Sequence, residues 1–187
     1  MNVGDSGGLV FNQSGELQTR DAVFCSMKGL PVTESRPLQT ENHSLGGRNK
    51  YSVINWVSAN NRGVISQIEF KVSVGDRIVL ASDGVLDNLT VEEIGGLIAN
   101  KSPDEAIKSI NTKVQERWKI YREIKNRLCL LDFDLKDEGF SGDALKEELF
   151  KRTAAEFAKV GVPLDKDGAP MAKPDHASIV IIDIERL

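Results

Sequence analysis

The chain has little of what would mark several large functional classes. It has two cysteines, Cys25 and Cys129, far apart and in no metal or redox spacing, so the expectation is buried, reduced thiols in a cytoplasmic setting. Its longest apolar run, Ile179-Val180-Ile181-Ile182, falls far short of the roughly 20 residues a spanning helix needs, and the expectation is a chain without a signal peptide unless residues are missing upstream. Basic runs and basic-aromatic interleaving are missing and the formal net charge is -4, which argues against a nucleic-acid partner or a membrane surface. Glycine-rich phosphate loops of the Walker or dinucleotide type are also absent, leaving a general nucleotide-binding α/β domain poorly supported. Of the two histidines, His43 sits beside Glu41 in a loop-like segment and reads as solvated.

What the chain does have is the composition of one globular domain and a particular placement of carboxylates. With 187 residues, 40% hydrophobic and 28% charged, it is long enough to bury a substantial core. Val74-Gly75-Asp76 is a tight-turn signal, and the apolar run Arg77 to Ser82 reads as a buried strand. Asp83-Gly84 ends that strand, the glycine letting the backbone turn sharply so that Asp83 projects from the strand end. Asp87 follows four residues on. Thr90-Val91-Glu92-Glu93 then has capping-box spacing and predicts a helix start. Near the other end, Ala177 to Ile184 is a second β-branched run with Asp175 at its entry, and Pro174 biases Lys173 toward an extended backbone. Carboxylates at the ends of two distant strands are what a hard-cation site requires. Taken singly, turn or cap roles for Asp83 and Asp87 and a strand start for Asp175 are much the commoner explanation.

Three segments in order carry a resemblance. Val3-Gly4-Asp5-Ser6-Gly7, Gly75 to Asn88 and Lys173-Pro174-Asp175-His176-Ala177-Ser178-Ile179-Val180 are similar to the later motifs of the type 2C, PPM-type, metal-dependent protein serine/threonine phosphatases. The resemblance implies an α+β fold, a four-layer αββα sandwich of two antiparallel sheets flanked by helices. It implies two or three Mn2+ or Mg2+ ions at one edge, with a metal-bound water rather than a side chain as nucleophile and a phosphoprotein as substrate. By position, Asp83 and Asp175 match catalytic-metal ligands, Asp5 and Asp87 match a weaker third-metal site, and Gly84 supplies the backbone turn. His176 stands where the family usually has Asn or Asp, beside the ligand, as a residue that would modify the ligand's surroundings, although a surface or turn histidine is the commoner reading of such a residue.

The departures are as informative. The early acidic strand and the Asp-Gly-His-Gly type segment of the family, whose Asp bridges both metals, have no counterpart here, nor has the phosphate-contacting arginine. The expectation is therefore that residues 1–187 form the C-terminal portion of a single phosphatase-like domain, incomplete at its N-terminus, whose function is phosphoserine and phosphothreonine hydrolysis with ligands from the missing part. The alternative is a catalytically inactive, phosphatase-like regulatory or binding module.

The remaining chain supplies scaffolding. Met1 to about Cys25 reads as a β-meander turning at Asn12-Gln13-Ser14-Gly15, and Met27 to Lys50, punctuated by Pro31, Pro37, Gly46 and Gly47, as an exposed connection without regular structure. Tyr51 to Val57 and Val64 to Phe70 alternate like strands. A helical excursion at about 97–160 carries no family signature. Within it Val114, Trp118, Tyr121, Leu128 and Leu131 form an apolar stripe, with Lys113, Glu116, Arg117, Lys119 and Arg122 among the residues on the polar faces. Asp132-Phe133-Asp134 and Asp137-Glu138 lack the glycine and distal Glu of an EF-hand and read as a solvated acidic linker, while Asp165-Lys166-Asp167-Gly168 reads as a turn.

Overall fold

Short β-branched runs and capped amphipathic segments set the element order. The structure, a computed structural model, describes residues 7–25, 32–37, 67–69, 71–165 and 167–185. Asp5, His43 and the alternating segment Tyr51 to Val57 lie outside the described residues. The described strands are β1 (Gly7–Phe11), β2 (Thr19–Cys25), β3 (Val32–Pro37), β4 (Gln67–Glu69), β5 (Arg77–Ala81) and β6 (Ile179–Asp183). The helices are α1 (Asp83–Leu86), α2 (Val91–Ile98), α3 (Pro103–Asp137) and α4 (Gly142–Lys159). The fold is mixed α and β, with antiparallel three-stranded sheets in the orders β1-β5-β6 and β3-β2-β4.

Two strand expectations need correction. The turn at Asn12–Gly15 forms, with Gly15 at φ 83° and Gln18 N–H donating to Val10 O at 2.8 Å, but the strands it joins go to different sheets instead of a meander. The turn is docked on α2: Asn100 N–H donates to Gln13 O at 2.9 Å, and a Cβ on Gly15 would lie 2.1 Å from Gly95 O. This anchoring holds the turn while β1 pairs with β5 and β2 with β3. Within 27–50, read as irregular, Val32–Pro37 is a strand. Between the two prolines every residue keeps its N–H, and Pro37 falls at the strand end opposite Thr19, where the missing donor is tolerated.

The core lies between the inner face of β1-β5-β6 and the helices. Leu9, Phe11, Val79, Ala81, Val85, Leu89, Ile94, Ile98 and Ile110 are buried there, with Ile179 and Ile181 against them. Alternation places Leu80, Val180 and Ile182 on the opposite face, where all three are exposed. Helix α2 starts with the capping box expected at Thr90, Glu93 N–H donating to Thr90 Oγ1 and Thr90 N–H to Glu93 Oε2. Ser102 and Glu105 repeat the motif at α3, with Pro103 at the first helical position.

Helix α3, 35 residues long, runs between two cores. Its first half buries Ala106, Ile110 and Val114 against the sheet layer. Its second half buries Ile124 with Phe157 of α4, Val162 and Ala172, and Tyr121 stacks on Phe157 with ring centroids 6.0 Å apart. Arg117, read on a polar face, is instead buried at the changeover: Nη2 donates to Glu93 Oε1 at 2.5 Å and Nη1 to Gly161 O at 3.1 Å. The acidic segment Asp132 to Asp137 is the last part of α3, not a linker, and Asp132 pairs with Lys136 one turn on. Cys129, expected buried, is exposed because the stripe residues either side of it, Leu128 and Leu131, take the inward positions. The Asp165 turn forms as read, Asp165 Oδ1 accepting from Asp167 and Ala169 N–H, with Gly168 at φ 79°. Among the described residues no helix is long and apolar enough to cross a membrane.

A bidentate pair closes the α3–α4 hairpin. Arg152 donates through Nη1 and Nη2 to Glu138 at 3.0 and 2.7 Å and through Nε to Glu148 at 2.8 Å. Hydrogen bonding from Arg152 holds the Glu138 carboxyl below its usual range. A depressed folded-state pKa means the pair contributes above the ordinary carboxylate value and is lost as pH falls through the lower one. A carboxyl 13C titration of Glu138 is expected to show a midpoint below the roughly 4.3 of an unperturbed Glu, rising toward that value in Arg152→Gln. An unchanged midpoint in the variant would contradict the pairing.

Candidate functional site

The site is assembled where the end of β5 meets the entry to β6. Ser82 is the N-cap of α1, yet its hydroxyl makes no cap bond. Instead Ser82 Oγ donates to His176 O at 3.1 Å and accepts from Ser178 N–H at 3.0 Å, while Ser82 N–H donates to Ser178 O at 3.0 Å. These bonds extend the β5–β6 ladder beyond the strands and fix the 176–178 segment against α1. The segment approaches so closely that a Cβ on Gly84 would lie 2.3 Å from His176 O. Gly84 is therefore needed for this backbone crossing; it sits within the helical turn of α1 rather than at the sharp, glycine-specific turn expected from sequence.

Helix α1 turns the two aspartates to the same side. Asp83 Oδ1 accepts from Gly84 N–H at 2.8 Å, leaving Oδ2 directed at Lys173. Asp87, one turn later, is the C-cap of α1. Asn88 next to it is fully buried; its Nδ2 donates to Gly84 O at 2.9 Å and to Lys173 O at 2.7 Å, clamping the backbone of the incoming segment to α1. Asp175 Oδ1 accepts from His176 N–H at 2.8 Å.

The carboxylates meet on one cation. Lys173 Nζ lies 2.9 Å from Asp83 Oδ2, 3.2 Å from Asp87 Oδ2 and 3.2 Å from Asp175 Oδ2. Burial works against the ammonium, but the bonds to Asp83 and Asp175 and the charges of Asp87 and Asp83 outweigh it and hold the Lys173 pKa above its usual value. The His176 amide, and then Lys173, hold the Asp175 carboxyl below its usual range. Three carboxylates against one ammonium leave a formal excess of two negative charges at this point.

Comparison with protein-family models and with curated proteins gives no match.

The structure thus brings Asp83, Asp87 and Asp175 together, while Asp5 lies outside the described residues. The His176 ring is fully exposed, with Nδ1 3.9 Å from Asp175 Oδ1, so its inward contribution is through the backbone amide. Among the described residues no group of three or more His, Cys, Asp or Glu is arranged as a ready-made metal cage. The donor chemistry nevertheless suits a hard divalent ion, since the converging groups are carboxylate oxygens already gathered around a positive charge. Sequence reasoning gave Lys173 a backbone role and missed its ammonium. The signal was present: Pro174 keeps the segment extended, and in extended backbone residues two apart share a face, which puts Lys173 beside Asp175. Ser82 and Asn88 were also missed as site-building residues, because their partners lie about 90 residues away in sequence, the Asn88 to Lys173 separation being 85 and the Ser82 to Ser178 separation 96.

Proposed function

We propose that this chain carries the later metal-binding motifs of a type 2C, metal-dependent protein serine/threonine phosphatase domain, acting on phosphoserine or phosphothreonine in a protein substrate. The observation that supports this best is the convergence of Asp83, Asp87 and Asp175, from segments about 90 residues apart, on a single point occupied by a cation; the Asp83 to Lys173 separation is 90. Those residues resemble the family's metal-binding positions in sequence order and meet in space. Asp83 and Asp175 would hold Mn2+ or Mg2+, with Asp87 contributing a further carboxylate and Asp5 in the same role from the first motif. When bound, such ions supply a lowered water pKa near neutral pH and offset the charge of the phosphoryl group. The chain's own part is to fix the carboxylates: Gly84 and His176 amides each orient one oxygen, and Asn88 sets the separation of the two segments.

The finer fold belongs to the same proposal. Leu80, Val180 and Ile182 make the outer face of β5 and β6 apolar and exposed, the condition for a second sheet to pack there in an αββα sandwich. Mn2+ binding measured by calorimetry on the 187-residue chain is expected to weaken about tenfold or more in Asp83→Asn and in Asp175→Asn, since each change removes one of the charged oxygen ligands that a hard cation requires. Full retention of binding in both variants would remove the metal reading. Binding of a phosphothreonine protein without turnover, in the presence of Mn2+, would favour the inactive binding module instead.

A further inference from the structure

Lys173 does more in this structure than neutralise a nearby acid. Its side chain is 22% exposed, its ammonium reaches three carboxylates at 2.9 to 3.2 Å, and its own backbone carbonyl is held by the fully buried Asn88. The backbone is thereby fixed while the four-carbon stem keeps its rotatable bonds, so the ammonium can leave the carboxylates without the strand entry moving. An ammonium and a dication within a few ångströms repel each other, and the same three oxygens cannot satisfy both.

We propose that Lys173 is a tethered counter-ion that competes with a divalent cation for Asp83, Asp87 and Asp175, so that metal uptake is an exchange in which the ammonium withdraws. This rests on the metal reading of the preceding subsection and adds the regulation of that site. In the metal-free chain the ammonium suppresses repulsion among the aspartates and keeps the cluster assembled. The same contacts then lower the net affinity for the incoming ion, because they must be broken first. The site is thereby set to load only when the free ion is abundant.

The test is a titration of the full 187-residue chain with Mn2+, followed by electron paramagnetic resonance of the free ion, for the wild type, Lys173→Met and Lys173→Arg. Lys173→Met is expected to bind Mn2+ about tenfold more tightly, the order expected when three partly exposed ion pairs no longer compete, while Lys173→Arg gains nothing. Equal or weaker binding by Lys173→Met overturns the proposal. If wild type binds and Lys173→Met shows no gain, the metal reading stands and only the competition fails. If neither takes up Mn2+, both fail. Should Lys173→Met not fold, the 15N signal of the Lys173 ammonium in the wild type serves instead. It is expected to shift or exchange-broaden as Mg2+ saturates the site, while the signals of distant lysines stay put. A Lys173 signal unmoved at saturation overturns the proposal.

Discussion

Replacing Arg77 with methionine is expected to lower the unfolding free energy by about 3–5 kcal/mol, more than any surface change, because it strips a buried charge from partners that stay behind. Arg77 is 5% exposed at the start of β5, and each of its three guanidinium nitrogens donates. Nε and Nη2 grip both oxygens of Asp183 on β6 at 2.5 and 2.7 Å, Nη1 donates to Ile98 O at 2.6 Å, and Nη2 also reaches Lys101 O at 2.8 Å. The last two acceptors are carbonyls at and beyond the end of α2, among those a helix C-terminus leaves without intrahelical donors. One side chain thus ties together two strands and a helix end. Methionine would fill much of the volume but take this donor from the Asp183 carboxylate and Lys101 O, and leave Ile98 O only the longer bond from Lys101 N–H at 3.3 Å. Lysine should fail nearly as badly, since a single ammonium cannot reproduce the planar fork. Urea unfolding monitored by circular dichroism is the measurement. The double variant Arg77→Met with Asp183→Leu should recover part of the loss, because removing both charges costs less than orphaning one. A loss below about 1 kcal/mol in the single variant would mean that solvent reaches the pair and that the clamp is only a surface contact.

The second large effect is expected at Gly84. An alanine there would put Cβ 2.3 Å from His176 O, 2.6 Å from His176 C and 2.9 Å from Ala177 N. All three atoms are backbone, so no side chain can swing aside. The 176–178 segment is also held by Ser82, through its hydroxyl to His176 and Ser178 and its amide to Ser178, leaving displacement of the strand entry or of α1 as the relief. Overpacking of this kind costs about 1–3 kcal/mol when side chains can adjust and lies at or above the top of that range when they cannot. Displacing that segment would also pull Asp175 away from Asp83. Gly84→Ala is therefore expected to weaken Mn2+ binding along with stability, whereas Gly96→Ala, on an exposed stretch of α2 with nothing within 4 Å, should leave both intact. Equal behaviour of the two variants in thermal melts would contradict the close crossing.

Much of this architecture was legible because it depends on local chemistry. The capping box at Thr90, the glycine turns at Gly15 and Gly75, the apolar run of β5 and the β-branched run of β6 are each specified within a few residues. Asp83 and Asp175 of the candidate site could be singled out for the same reason, one following β5 and the other preceding β6. What could not be read is what depends on a distant partner. Arg117 looks like any other charge on a long helix until Glu93 and Gly161 are brought beneath it. Gly84 looks like a turn residue until His176 is laid across it. Strand β3 was hidden by its flanking prolines, and its identity comes from β2, which supplies the hydrogen-bonding edge.

The long helical hairpin has a consequence for how this chain can change over time. It lies between the two halves of the candidate site in sequence, yet at its far end a Cβ added at Gly139 or Gly142 would meet nothing within 4 Å and the residues around them are largely exposed. The site is closed by Ser82, Gly84 and Asn88 near the base of the hairpin, not by its tip. Loop-closure entropy grows only slowly, by about 0.6 kcal/mol for each doubling of the intervening chain. Lineages are therefore free to lengthen, shorten or replace the hairpin tip, acquiring new surface there, while the spacing of the aspartates remains the same.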